Sequence, residues 1–190
     1  MGKVIAGMTM SLDGFVNDSN GSVEKLSPDF VELHDVPSFQ KMIKNTGAAI
    51  MGRHTYEMAD PFMWANDDYE FQTPLFVLTH TPPEKYPKGN GKLSFTFVTD
   101  GIESAVSQAK KASGDKDVQV IGASTIQQCL NAGLCDELEI DFMPILLGKG
   151  LRLFENIDTD TIKLERIKVE ETTPVRTSII FRVTKANHGI

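Results

Sequence analysis

Cysteine is scarce in this chain: two of 190 residues, Cys129 and Cys135. Their spacing is not C-x-x-C and no further Cys/His cluster accompanies them, so they read as reduced, structural thiols. That usage fits a cytoplasmic compartment. The four histidines, His34, His54, His80 and His188, show no metal-ligand spacing, so no metal is expected. Basic charge is short as well, with 19 Lys and Arg against 26 Asp and Glu, a net charge of −7. No basic block occurs, which argues against an extended nucleic-acid footprint. No apolar run approaches the roughly 20 residues that a membrane span needs. The N-terminal MGKVIAGMTM lacks the long apolar segment of a signal peptide. Ala6 stands where a myristoylation motif wants Ser or Thr. Neither G-x-G-x-x-G nor G-x-x-x-x-G-K-[ST] is present, so standard dinucleotide and P-loop fingerprints are both missing.

What is present suits one globular domain spanning residues 1–190: 41% hydrophobic and 24% charged residues, with no repeat or linker. KVIAGMTM (3–10) reads as a buried first strand, followed by a turn-rich loop, SLDGFVNDSNGS. Residues 28–46 carry a helical stripe that Pro37 must break or restart, with Gly47 as a plausible C-cap. AAIMG (48–52) is a second strand, and His54 to Ala59 a short helical segment. Residues 61–74 form an irregular stretch holding Trp64, the only tryptophan, which either walls a pocket or anchors its loop. LFVLT (75–79) and SFTFV (94–98) are the next two strands, separated by a proline-rich loop. A helix over 101–113, a strand over 117–122, a helix over 123–133 and a strand opening CDELEIDFMPIL (135–146) follow. The tail, 161–172 and 175–185, reads as an antiparallel hairpin, with a bulge where apolar parity slips between Leu164 and Ile167. Near-continuous apolar strands alternating with helices predict an α/β fold, a mainly parallel sheet with helices on both faces.

Ligands in such sheets bind beyond the carboxyl ends of the strands. Two strands end in glycine and run straight into a helix: AAIMG-RHTYE and VQVIG-ASTIQQCL. Each helix start offers backbone N–H groups and a positive dipole end, which suits an anion. Side by side, the two could clamp a pyrophosphate, or the glycines could serve helix–sheet packing alone. Arg53 could add a forked, charge-assisted bond, and Thr55 and Ser124 hydroxyls.

MGRHTYE resembles the cofactor-binding segment of dihydrofolate reductases. TMSLDGFV, VIGASTIQQCLNAGLCDELEI and MPILLGKGLRLFE together resemble the reductase domain of bacterial riboflavin-biosynthesis deaminase–reductases. The resemblance covers nearly the whole chain. It implies a three-layer dihydrofolate-reductase-like fold, NADPH-dependent hydride transfer to a small-molecule substrate, and a homodimer. By that resemblance Gly52, Arg53, His54 and Thr55 form the first phosphate-binding turn, and Gly122, Ala123, Ser124 and Thr125 the second. Thr79 and His80 occupy the place where family members carry Ser or Thr and then Arg for the 2′-phosphate; His80 is a weaker, pH-dependent cation.

On the substrate side, the resemblance puts the SLDG loop (11–14) beside the nicotinamide and substrate. Ser11 and Asp13 are candidates for contacting substrate, and Asp13 for relaying a proton; a solvated turn is the plainer alternative. Lys149 and Arg152, in LLGKGLRLFE, could meet a substrate phosphate or carboxylate, or form a solvated basic turn. The acid that dihydrofolate reductases carry early in their long first helix aligns with Ser38, with Glu32 and Asp35 nearby. The zinc-deaminase signature is missing, so only a reductase half is expected. The resulting expectation is an NADPH-dependent reductase of a pterin- or pyrimidine-like heterocycle. Its alternatives are a nucleotide-binding module without catalysis and a true 5-amino-6-(5-phosphoribosylamino)uracil reductase.

Overall fold

The computed structural model describes residues 2–58 and 69–185. Trp64 and most of the irregular stretch lie outside the described residues.

Eight strands form one sheet in the order β4-β3-β2-β5-β1-β6-β8-β7. β1 (Val4–Ser11), β2 (Thr46–Gly52), β3 (Pro74–Leu78), β4 (Ser94–Val98), β5 (Asp117–Ile121) and β6 (Glu137–Met143) run parallel. β8 (Arg176–Lys185) joins β6 antiparallel, and β7 (Ile162–Thr173) pairs with β8 as the expected hairpin. The hairpin register shifts between Arg166 and Lys168, which puts the bulge at Ile167, and again between Glu171 and Thr173.

Parity decides what each face buries. Val4, Ala6, Ile50, Val118 and Val120 pack against α4 (Ile102–Ser113) and α5 (Ala123–Asn131). Ala49, Met51, Leu75 and Val77 form a second core on the opposite face, under Met42 and Ile43 of α2 (Pro37–Asn45) and Tyr56 of α3 (Arg53–Glu57). The result is three layers. α1 (Phe30–His34) precedes α2, and Pro37 restarts the helix at a first-turn position where a missing N–H costs nothing.

Gly47 departs from the expectation. It lies inside β2 rather than capping α2, and Thr46 is the cap. A Cβ at Gly47 would stand 2.7 Å from the Ser113 carbonyl oxygen, so close approach to the end of α4 requires glycine there.

Candidate functional site

The sheet order brings the two glycine turns together, because β2 and β5 are neighbours. Gly52 precedes α3 and Gly122 precedes α5. A Cβ on Gly52 would stand 2.8 Å from Thr125 Oγ1, and one on Gly122 2.5 Å from Thr55 Oγ1. Each glycine therefore makes room for the other turn's threonine. Gly122 also has φ +95°, a conformation that side chains with a Cβ rarely adopt. Ala123 and Thr125 are buried, whereas Arg53, His54 and Ser124 are exposed at the rim. Arg53 Nε donates to Glu57 Oε1 at 2.8 Å, an exposed pair that a stronger anion can compete for.

Thr79 follows β3. Its hydroxyl donates to the Thr81 carbonyl and accepts from the Thr81 N–H. With Arg53, Tyr56 and Phe97 it lines a small pocket of about 110 Å³. His80 is exposed and outside that lining.

Beside the turns lies a cavity of about 510 Å³ between the sheet and the α1–α2 layer. Phe30, Leu33, Phe39 and Met42 supply its apolar wall, and Ser38 also reaches it. Thr55 and Ile121 line it too, so it is continuous with both glycine turns. Its floor is the polar face of the central strands, with Gly7 and Thr9 from β1, Gln119 from β5, and Glu139 and Asp141 from β6.

A buried ion network closes one end. Arg176, 2% exposed, donates through Nε and Nη2 to the two Asp29 oxygens at 3.0 and 2.7 Å. Its remaining N–H groups reach the Leu26 carbonyl, Thr9 Oγ1 and Asp141 Oδ2. Thr173 Oγ1 also donates to Asp29, and Ser178 Oγ donates to Asp141. The Arg176 hydrogen bonds hold the Asp29 carboxyl below its ordinary pKa against the opposing effect of burial. Burial alone would lower the Arg176 pKa, but the Asp29 hydrogen bonds and the Asp141 charge raise it.

Glu139 has a different environment. Burial pushes its pKa up to about 7, helped by the neighbouring Asp141 carboxylate. Glu139, Asp29 and Arg176 carry no local sequence motif that marks them as site residues. Alternation within ELEIDFM marks Glu139 and Asp141 as sharing one strand face, and that was the available signal.

Ser11 and Asp13 sit outside the cavity lining. The Ser11 hydroxyl donates to Asp13 Oδ1 at 2.7 Å and accepts from the Phe15 N–H. Asp13 also receives the N–H groups of Leu147 and Gly148. These bonds, the Ser11 hydroxyl foremost, hold its pKa at about 2. A carboxylate so occupied staples the 11–14 turn to the 147–150 turn. Lys149 is exposed in that second turn. Arg152 lies 4.4 Å above the Phe15 ring and donates to the Asp13 carbonyl. Neither basic residue lines the cavity.

The fold and these paired turns define a dihydrofolate-reductase-like domain. The dihydrofolate reductase of Enterococcus faecalis, solved in complex with NADP(H) and the ligand RAB-propyl, matches with a TM-score of 0.59 at 15% identity, covering 95% of this chain and 96% of that one. More particularly, the chain belongs to the RibD C-terminal domain family, which matches residues 2–177. A Shewanella sp. PV-4 protein, described provisionally as a riboflavin biosynthesis protein, is 26% identical with a TM-score of 0.73, over 96% of this chain and 99% of that one. The uncharacterized protein YyaP of Bacillus subtilis strain 168 is 27% identical over 162 residues, 82% of this chain and 81% of its own.

Proposed function

We propose that the protein is an NADPH-dependent reductase of a small nitrogen heterocycle, pterin- or pyrimidine-like. The observation that carries this reading is the pair of interlocked glycine turns meeting one cavity through Thr55. Gly52 to Thr55 and Gly122 to Thr125 would hold the cofactor's phosphates with first-turn N–H groups and hydroxyls. Arg53 would leave Glu57 for the anion, and Thr79 and His80 would lie toward the 2′-phosphate. Bound there, the cofactor supplies a hydride from its nicotinamide ring. The apolar wall of Phe30, Leu33 and Phe39 would exclude water and hold the substrate ring flat against the sheet.

Titration of NADPH and NADH into wild-type and Arg53→Ala protein, followed by nicotinamide fluorescence, tests this. NADPH should bind, and the variant should bind it about tenfold more weakly, the loss of one charge-assisted contact. No binding of either nucleotide would sink the reading. Binding without turnover across a panel of heterocycles would leave a nucleotide-binding module.

The same reading carries a homodimer. Leu164, Ile167 and Val169 are exposed on β7 at the sheet edge, an apolar stripe suited to a second copy. Sedimentation should give twice the chain mass, and Val169→Lys should shift it toward the monomer.

A further inference from the structure

The cavity floor contains two polar side chains with nothing to bind. Gln119 is 4% exposed, yet among the described residues its amide makes no hydrogen bond. Glu139 is half-buried and likewise makes no hydrogen bond or ion pair there. Both side chains line the cavity, so their polar atoms are free to meet a ligand or water there.

The two stand on either side of Gly7. Gly7 is the register partner of Glu139 on β6, and a Cβ at Gly7 would come within 3.6 Å of Gln119 Oε1. Glycine thus leaves a gap between a carboxylate and an amide, all on one face of three adjacent strands. Aromatic and aliphatic side chains cover the gap from above. This arrangement suits a flat ring lying on the glycine with polar groups at its edge.

The charge of the cavity narrows the class. Among the described residues Arg176 is the one cation that lines it, and its five N–H groups are all spent on Asp29, Asp141, Thr9 and Leu26. No cationic donor among the described lining residues remains for a phosphate.

We propose that Gln119 and Glu139 form the recognition edge of the cavity for a planar nitrogen heterocycle with an amidine-like N–H pair and no phosphate on its buried part. A carboxylate offers two oxygens in the fork that such a pair matches. The Gln119 amide, donor and acceptor at once, reads the adjoining carbonyl or ring nitrogen. This deepens the reductase reading and rests on it for the identity of the cavity as a substrate site.

Glu139 titrates near neutrality, so recognition of a cation depends on pH. The groups that act on it are Asp141 and Glu137 of β6, and Lys168 and Glu170 of β7. Glu70 and Arg176 line the same cavity. Its charged form, the one that attracts an amidinium, predominates above about pH 7.

Three probes separate the possibilities by calorimetry on the full chain. Benzamidine is planar and stays cationic, benzoate has the same shape and opposite charge, and ribose 5-phosphate carries the phosphate. Benzamidine should bind, about tenfold more tightly at pH 8 than at pH 6, while benzoate and ribose 5-phosphate should not. Glu139→Gln should weaken benzamidine at pH 8 by about tenfold or more and abolish the pH dependence. Gln119→Leu should weaken isocytosine, which adds a carbonyl beside the N–H pair, more than it weakens benzamidine. Benzamidine binding that ignores both substitutions, tighter binding of ribose 5-phosphate, or no binding of benzamidine and isocytosine would each overturn the proposal. NADPH titration of the same samples keeps the two readings apart. Retained NADPH binding with no amidine binding overturns the recognition edge alone, and the reverse pattern overturns the reductase reading alone.

Discussion

At the scale of single residues, the sheet floor concentrates cost where a ligand would repay it. The Glu139 pKa is raised from 4.5 to about 7 by burial and by Asp141. The folded state therefore binds a proton more tightly than the unfolded chain, and stability falls as pH rises from about 4.5 to 7. Glu139→Gln removes that penalty. It should raise stability at pH 8 by about 2 kcal/mol and leave it nearly unchanged at pH 4, measured by urea unfolding. Asp29 titrates with the opposite sign. Its pKa is lowered chiefly by Arg176, so its contribution is complete at neutral pH and fades only as acid protonates the folded carboxyl.

At the scale of elements, the interlocked turns make a prediction about coupling. Gly122→Ala forces a Cβ to 2.5 Å from Thr55 Oγ1 at φ +95°. It should cost about 1–3 kcal/mol and weaken NADPH binding. Thr55→Ala in the same chain should recover part of the stability, since the hydroxyl is gone but the backbone strain remains. The turns themselves were legible in sequence, because strand, glycine and helix signals are local. SFTFV matches β4 residue for residue, and the parity slip located the hairpin bulge. Ser38, reached by alignment alone, does line the cavity. Gly47 misled because a helix that runs directly into a strand has the same local signature as a capped one. The Asp29–Arg176 pair was invisible, because its partners are 147 positions apart and only the sheet order joins them. Glu139 was hidden for a related reason. A glutamate on a strand is unremarkable until the elements above it decide whether it faces water or a cavity.

At the scale of the whole molecule, the two thiols report on global integrity. Cys129 and Cys135 are both free and buried. The neighbouring Cys135 sulfur and burial push the Cys129 thiol well above its ordinary pKa, which suppresses the reactive thiolate. Neither should react with an aromatic disulfide reagent in the native protein. Both should become reactive across the unfolding transition, with the midpoint seen by circular dichroism. Among the described residues no helix is long and apolar enough to cross a membrane.

Arg176 ties a segment near the start of the chain, Leu26 and Asp29, to β6 and to the last strand. A ribosome delivers those parts in sequence. Both glycine turns leave it well before residue 176, while the cavity beside them still lacks its clasp. Until β8 arrives, Asp29 is a carboxylate without its counter-ion. On the proposed function, the order of synthesis thus separates two capacities: the turns that would hold a nucleotide are complete before the cavity that would select a substrate.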